Sequence, residues 1–319
     1  MQPYGVLFPG QGSQFVGMGA ELFAARSDLL GAAADRVLGW PLEQTCRVGP
    51  ASALTRTERA QPALYAISYA LWAELAHRLP QPPVAAAGHS VGEYTALAAA
   101  GAMEYMAGLE VVHARALAMA DAAHQRPSAM VAVLGLTEAE AEAIAARRRA
   151  EGGQLWLANL NGSGQVVFSG AHSDVAWLLE SAEDLGARRA IQLKVAGGFH
   201  APPMEPALPA LQTALAAVDF HTSQFPVFSN VDAVPIEPGD EAEALAKQLL
   251  APVRFGDCLV AMAAAGVELF VHVGPGDVTA GLARRAVPAA STLVVNNASD
   301  IQVAVAAIMG THPDGEEIT

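Results

Sequence analysis

Cysteine is scarce in this sequence: only Cys46 and Cys258 occur among 319 residues, and neither belongs to a CxxC pair. Two isolated cysteines are too few for a disulfide scaffold or a zinc cluster. Basic residues are also few, with 18 Lys and Arg against 32 Asp and Glu, which gives a net charge of −14. A protein that binds nucleic acid by neutralising its phosphates is therefore not expected.

Long apolar runs and targeting segments are lacking as well. No stretch of about 18 or more apolar, uncharged residues occurs, so we expect no membrane-spanning helix. Residues 1–4 lack the basic region and the cleavage pattern of a signal peptide. Apolar residues are abundant, at 52% against 16% charged, which suffices for a sizeable core and excludes disorder as the main state. These features predict a cytoplasmic globular protein.

Short apolar runs alternate with helical patterns in the first part of the chain. The run at 4–8 stops at Pro9-Gly10, and the run at 84–87 stops at Gly88. Helical patterns cover residues 64–77, 93–100 and 105–124, and a similar alternation resumes after residue 204. Strands that alternate with helices in this way indicate a parallel α/β sheet.

The rhythm changes between residues 127 and 197. Thr137 and Glu140 form a capping-box pattern, which marks the start of a helix. Short strand patterns surround the turn at 161–164, and the order β-α-β-β-α-β is typical of a ferredoxin-like unit. We therefore predict a large α/β catalytic domain formed by residues 1–126 and 198–319, with a ferredoxin-like small subdomain inserted at 127–197.

The segment Gly88-His89-Ser90-Val91-Gly92 lies between a strand pattern and a helical one, and it matches the nucleophile elbow GxSxG. Such a turn needs small residues on both sides because the serine backbone is strained and neighbouring elements approach closely. The helix that follows directs its N–H groups and positive dipole end at the serine oxygen. Ser90 is therefore the candidate nucleophile, and the alternative is an ordinary turn serine.

A serine hydroxyl needs a base at neutral pH, and nine histidines compete for that role. His200 is the best candidate, because Gly197-Gly198-Phe199 before it suits a loop that presents a side chain into a cleft. His89 adjoins the nucleophile but is expected to point away from it and to be structural. The others lie in helical runs, polar turns or an apolar strand: His77, His113, His124, His172, His221, His272 and His312.

Five motifs occur in the order found in malonyl-CoA:acyl-carrier-protein transacylases, and nearly the whole chain resembles that family. They are Pro9-Gly10-Gln11-Gly12-Ser13-Gln14, Gly88-His89-Ser90-Val91-Gly92-Glu93, Arg115, Phe199-His200 and Gln248-Leu249-x-x-Pro252-Val253-Arg254-Phe255. The resemblance implies an α/β-hydrolase-like large domain with a ferredoxin-like insertion. It also implies transfer of a malonyl group from malonyl-CoA to the phosphopantetheine thiol of an acyl carrier protein, in fatty-acid or polyketide synthesis.

The resemblance further implies roles for individual residues. Ser90 would carry the malonyl group as an ester, and His200 would take the serine proton and later that of the incoming thiol. The backbone N–H groups of Gln11 and Val91 would form the oxyanion hole. The backbone carbonyl of Gln248 would orient the histidine, so no third carboxylate is expected.

Arg115 would hold the free malonate carboxylate through a bidentate pair, which a lysine would not reproduce. Each assignment has an alternative. Arg115 could be a solvent-facing helical arginine, although its apolar neighbours favour burial beside a partner. Gln11 could merely satisfy loop backbone, and the Gln248 side chain could be a helix-surface amide whose substitution does little. The turn at 274–276 could cradle a phosphate or only pack near the site.

The two residues that precede His200 are expected to affect which acyl group is accepted. Phe199 resembles the malonyl-preferring form of the family, in which its bulk opposes an α-methyl branch. Gly198 stands where alanine is common and is expected to enlarge the acyl pocket slightly. One methyl group changes selection by only ~1–3 kcal/mol in an apolar pocket, so methylmalonyl use stays open.

The implied carrier protein is strongly acidic, as is this chain, so docking must use a local basic patch. The candidates are Arg147-Arg148-Arg149, Arg188-Arg189 with Lys194, and Arg284-Arg285, and each could instead be a solvated helix or strand end. No metal and no bound cofactor are expected, and malonyl-CoA enters as substrate. The alternatives are a hydrolase that clears acyl carrier proteins, a transacylase for another acyl unit, a non-catalytic carrier-binding module and a general esterase.

Overall fold

The computed structural model describes residues 1–311, which contain two separate sheets. The strands are β1 (Tyr4–Phe8), β2 (Ala85–Gly88), β3 (Ala129–Leu134), β4 (Leu155–Leu160), β5 (Gln165–Gly170), β6 (Arg189–Gln192), β7 (Val227–Phe228), β8 (Leu269–Val273) and β9 (Ser291–Val295).

The helices begin with five short ones: α1 (Leu22–Ala25), α2 (Ser27–Leu30), α3 (Ala32–Leu38), α4 (Leu42–Arg47) and α5 (Ala51–Leu54). The remainder are α6 (Thr57–Ala76), α7 (Val91–Ala99), α8 (Tyr105–Gln125), α9 (Glu138–Ala150), α10 (His172–Ser181), α11 (Leu208–Leu215), α12 (Glu241–Gln248), α13 (Phe255–Ala264), α14 (Val278–Ala286) and α15 (Asp300–Met309). A 3-10 segment, Pro202–Ala207, precedes α11. None of the helices in this part of the chain combines the length and the hydropathy that crossing a bilayer requires.

A five-stranded sheet forms the larger part of the fold, with the order β7-β2-β1-β8-β9 and parallel pairing throughout. The sequence explains why the central strands are buried on both faces. All five residues of β1 and all four of β2 are buried, as expected when helices cover a parallel sheet on both sides. The predicted parallel α/β sheet is therefore confirmed.

The second sheet is antiparallel, with the order β4-β5-β3-β6, and α9 and α10 connect its strands. Thr137 caps α9, and Glu140 bonds back to its N–H, so the capping box is confirmed. This sheet has its own hydrophobic core, which includes Val131 and Phe168. The α/β fold with a ferredoxin-like unit is confirmed, whereas the exact boundaries 126/127 and 197/198 stay a prediction. Residues 312–319 of the predicted large domain lie outside the described residues.

One helix begins earlier than the sequence pattern indicated. The predicted helix at 64–77 is α6, which starts at Thr57 and contains Pro62 in its second turn. Proline usually ends a helical pattern because it lacks the N–H and its ring crowds the preceding turn. The added first turns matter, because they carry Gln61 into the interior, where its side chain is 1% exposed.

Candidate active site

Ser90 lies in a sharp turn between β2 and α7, as the GxSxG pattern predicted. Its φ of 54° and ψ of −108° are values that a non-glycine residue rarely adopts. Both glycines are required by close approach. A Cβ atom at Gly88 would lie 1.8 Å from the carbonyl carbon of Gly92, and one at Gly92 would lie 2.3 Å from the carbonyl oxygen of Phe8. The strained serine is thus held by tight packing.

Two residues hold this turn: Asn230, which the sequence analysis did not identify, and Glu93, which it named only as the last residue of a motif. The Ser90 N–H donates to Asn230 Oδ1 at 2.8 Å, and Asn230 Nδ2 donates to the Gly88 carbonyl at 2.8 Å. The Asn230 N–H in turn donates to Glu93 Oε2 at 2.7 Å. Both Asn230 and Glu93 are fully buried. Glu93 follows the GxSxG motif directly, which was the available signal, whereas Asn230 carries no local pattern that marks it.

His200 lies 110 positions after Ser90 in the chain, yet its Nε2 is 2.7 Å from Ser90 Oγ. Its Nδ1 is 2.9 Å from the backbone oxygen of Gln248, at the end of α12. A carbonyl oxygen can only accept, so Nδ1 carries the proton and Nε2 presents its lone pair to the serine hydroxyl. The imidazole is therefore oriented as a base.

Burial keeps this imidazole uncharged. His200 is 4% exposed, and desolvation together with the nearby Arg115 charge lowers its pKa to about 3, although the Gln248 carbonyl acts in the opposite direction. The residue has a φ of 57°, again in the left-handed region. An unusual backbone at both Ser90 and His200 is typical of residues fixed for chemistry.

Arg115 on α8 reaches the same place, and the alternative of a solvent-facing arginine is wrong, because the residue is 1% exposed. Its Nη2 donates to Ser90 Oγ at 3.1 Å. No carboxylate among residues 1–311 forms an ion pair with it, and its buried Nε has no acceptor in this part of the chain. Burial lowers its pKa from the usual value, but an arginine remains charged at neutral pH. Within residues 1–311, the site therefore holds a buried cation that has no ion-pair partner.

The side chain of Gln248 is not a helix-surface amide, so that alternative is wrong. It is fully buried, because α12 ends against the turn that carries Ser90. Its Oε1 accepts from Arg115 Nη2 at 3.0 Å, and its Nε2 donates to the Ser90 carbonyl at 3.0 Å. Gln61 on α6, which the sequence analysis did not identify, accepts from Arg115 Nη1 through its Oε1. The guanidinium is thus held by two neutral amides.

The two candidate oxyanion donors belong to residues that line one cavity. Gln11 and Val91 both line it with Ser90 and His200, and no acceptor among residues 1–311 takes either N–H. Val91 is the first residue of α7, where a free N–H group points along the helix axis. The Gln11 side chain donates to Thr57 Oγ1 at 3.2 Å, which is a side-chain hydroxyl at the start of α6 and not loop backbone, so this bond does not support the alternative.

The cavity has a volume of about 80 Å³ and one apolar wall. The wall residues are Met119, Met130, Leu193, Val195 and Phe199. Phe199, 5% exposed, lies where the sequence predicted a specificity residue. Gly198 does not line this cavity, so the expectation that it enlarges the acyl pocket is not met. Its N–H donates to Ser128 Oγ, and an added Cβ would lie 3.1 Å from the Ser128 side chain, outside the cavity lining.

The 274–276 turn and His89 have packing or structural contacts. An added Cβ at Gly274 would lie 2.6 Å from the ring of Pro9, so the 274–276 turn packs against the loop that carries Gln11. His89 lines the cavity, but its Nε2 bonds Asn161 Oδ1 at 3.0 Å, in the turn between β4 and β5. Within the described residues, no group of three or more His, Cys, Asp or Glu is placed to hold a metal ion.

Comparison with known proteins places the chain in a class and then in a family. A family model described as an acyl transferase domain matches residues 6–317, so the chain belongs to the acyl transferase domain family. Within that class it belongs to the malonyl CoA-acyl carrier protein transacylases, because curated relatives of that name match nearly its whole length.

The transacylase of Bacillus subtilis (strain 168) is 38% identical over 308 residues, which cover 96% of this chain and 97% of the relative. The acyl-carrier-protein-S-malonyltransferase structure from Bartonella henselae is 34% identical with a TM-score of 0.91, and covers 97% of this chain and 100% of that one. A malonyl-transacylase in complex with its type II PKS acyl-carrier protein is 34% identical with a TM-score of 0.89, over 96% and 100% of the two chains.

Proposed function

We propose that this chain transfers a malonyl group from malonyl-CoA to the phosphopantetheine thiol of an acyl carrier protein, through an ester on Ser90. The observation that carries the proposal is the convergence of three groups: Ser90 Oγ lies 2.7 Å from the His200 base and 3.1 Å from the Arg115 guanidinium. A nucleophile, a base and an unpaired cation at one point fit a short acyl thioester that ends in a free carboxylate.

In the first half-reaction, Ser90 Oγ attacks the thioester carbonyl carbon while His200 Nε2 takes the hydroxyl proton. The negative charge that develops on the carbonyl oxygen is stabilised by the N–H groups of Gln11 and Val91. The C–S bond then breaks, and His200 returns its proton to the CoA sulfur. Arg115 holds the malonate carboxylate throughout.

In the second half-reaction, the thiol of the carrier protein replaces CoA. His200 takes the thiol proton, the sulfur attacks the seryl ester, and the proton passes to Ser90 Oγ as the ester bond breaks. The chain supplies the nucleophile, the base and the oxyanion donors, so we propose a ping-pong reaction without a metal or bound cofactor. Arg115 favours this reading over a general esterase or a hydrolase, since neither needs a buried cation beside the serine. A cytoplasmic location stays a prediction.

Mass spectrometry of the intact protein after brief exposure to malonyl-CoA tests the proposal. We expect a gain of one malonyl group, which peptide digestion assigns to Ser90, and loss of the adduct when carrier protein is added. Parallel exposures to methylmalonyl-CoA and acetyl-CoA measure selection. An adduct on another residue, or release of malonate to water at the same rate with and without carrier protein, would contradict the transferase assignment.

For docking of the carrier protein, the three basic patches differ in how much of their charge is free. Arg147, Arg148 and Arg149 on α9 all form ion pairs, with Glu151, Asp174 or Glu142. The other five cations are exposed, and none of the ion pairs among residues 1–311 includes them: Arg188, Arg189, Lys194, Arg284 and Arg285. We call these five the free basic surface. It is the patch whose charge is available to an acidic partner.

The free basic surface also includes a sequence neighbour of residues that line the cavity. The Arg285 side chain donates to Gln165 on β5. Gln165 pairs with Leu134 on β3, and Leu134 pairs in turn with Arg189 on β6. The Arg284-Arg285 patch and the Arg188-Arg189 patch therefore form one area. Lys194 lies between Leu193 and Val195, which both line the cavity. A carrier protein bound here would contact a residue adjacent in sequence to the cavity lining. We therefore propose that the acidic carrier protein docks on the free basic surface.

Reversing charge on this surface is expected to separate the two half-reactions. The double variant Arg284→Glu with Arg285→Glu should raise KM for the carrier protein about 10-fold, with a smaller effect at high salt. Formation of the Ser90 ester from malonyl-CoA should be unchanged. The matched control is Arg147→Glu on α9, for which KM should stay near the wild-type value. Equal KM values for both variants would contradict the assignment of this surface.

A further inference from the structure

The surroundings of Arg115 are unusual for a buried cation, because its partners are neutral. Gln61 Oε1 accepts from Nη1 at 2.5 Å, and Gln248 Oε1 accepts from Nη2 at 3.0 Å. Buried arginines are ordinarily paired with carboxylates, which cancel their charge. We call Gln61 and Gln248 the amide cradle.

Both amides are fixed by a second bond that determines which of their atoms faces the guanidinium. Gln61 Nε2 points at Met119 Sδ at 3.4 Å, and Gln248 Nε2 donates to the Ser90 carbonyl at 3.0 Å. Because the NH2 groups are engaged elsewhere, the carbonyl oxygens are directed at Arg115. The two glutamines are 1% and 0% exposed, so these bonds are shielded from bulk solvent.

Glu93, the carboxyl group that acts electrostatically on Arg115, forms no ion pair with it. Glu93 is fully buried and bonds the Asn230 N–H rather than Arg115. Burial raises the pKa of Glu93 to about 8, so most of this group is uncharged at pH 7. The positive charge of the guanidinium therefore remains available for a carboxylate that enters the cavity.

We infer that Gln61 and Gln248 determine specificity: they orient Arg115 with neutral acceptors and so preserve its charge for the free carboxylate of the acyl group. A carboxylate in either position would be an internal competitor for the malonyl carboxylate. The inference rests on the proposed malonyl transfer, and it assigns to the Gln248 side chain a role separate from that of its backbone carbonyl. Gln61 and Gln248 act through Arg115 and are positioning residues.

The test is Gln61→Glu, which keeps the shape of the side chain and adds one negative charge. We expect the ratio of malonyl to acetyl loading on Ser90 to fall at least about 10-fold, the lower end of what a hydrogen bond to a charged group contributes. Gln61→Met, which removes the acceptor without adding charge, should lower the ratio less. The control is Gln302→Glu, the same change at an exposed position of α15, which should leave the ratio unaltered.

The possible outcomes distinguish a failure of the amide-cradle inference from a failure of the proposed malonyl transfer. A wild-type protein that forms no malonyl ester would refute both. A wild type that loads malonyl, with equal ratios for Gln61→Glu and Gln61→Met, would refute the amide cradle alone, because packing would then explain both losses. If Gln61→Glu does not fold, as judged by circular dichroism, Gln248→Glu places a carboxylate on the other side of Arg115 and carries the same expected fall.

Discussion

Replacement of His200 by alanine is expected to slow ester formation on Ser90 by about 10²–10⁴-fold, the range that general-base catalysis contributes. The hydroxyl would lose the acceptor 2.7 Å away, and no other base among residues 1–311 is bonded to it. Rapid-quench measurement of the malonyl adduct gives the rate, with Ser90→Ala as the zero reference. The control is His221→Ala, an exposed histidine remote from the cavity lining.

The pH dependence of the wild type provides a second readout for the same residue. Because burial lowers the pKa of His200 to about 3 from the usual 6.5, the base stays unprotonated at pH 5.5, and the rate should be nearly constant from pH 7.5 to 5.5. A histidine with a pKa of 6.5 would lose about tenfold over that interval. Folding stability should follow the same titration. The contribution of the uncharged imidazole to the free energy of unfolding is complete above pH 6.5 and declines as the pH falls towards 3. A tenfold fall in rate would contradict the buried, neutral base.

The elements that the sequence revealed are those defined by short-range patterns. Ser90 was found because GxSxG between a strand and a helix is local, and the β-α-β-β-α-β order predicted the second sheet in the same way. His200 was selected from nine histidines by the glycines before it and by family resemblance. Local patterns therefore predict the elements and the nucleophile, and the ordered motifs of the family resemblance add the base.

The residues that were missed act across long separations. Asn230 bonds Ser90 over 140 positions, and Gln61 bonds Arg115 over 54. A lone amide carries no pattern that distinguishes an acceptor for a buried cation from a surface residue. The burial of the Gln248 side chain could not be predicted for the same reason, because helix periodicity does not show that the end of α12 packs against the Ser90 turn, and the surface position stayed open as an alternative. The expectation for Gly198 rested on the alanine that is common at this position in the family, and a sequence comparison does not fix the direction in which a Cβ there would point.

Replacement of Arg115 by alanine is expected to reverse acyl selection. Loss of one partner of a buried charged pair costs about 2–5 kcal/mol, which corresponds to a fall of about 30- to 5,000-fold in kcat/KM for malonyl-CoA. Acetyl-CoA has no free carboxylate, so its loading should change far less. Competition between the two thioesters, read as the mass of the Ser90 adduct, measures the ratio directly. Equal loading of both by the wild type would remove the role assigned to the guanidinium.

Arg115→Lys distinguishes charge from geometry in this prediction. The lysine keeps the positive charge, but it lacks the planar fork that bonds Gln61, Gln248 and Ser90 at once. Its ammonium would be held by fewer acceptors and would meet a carboxylate as a point charge, so malonyl loading should lie between those of wild type and Arg115→Ala. If Arg115→Lys instead matches the wild type, the amide cradle is not needed for orientation, and charge alone selects the diacid.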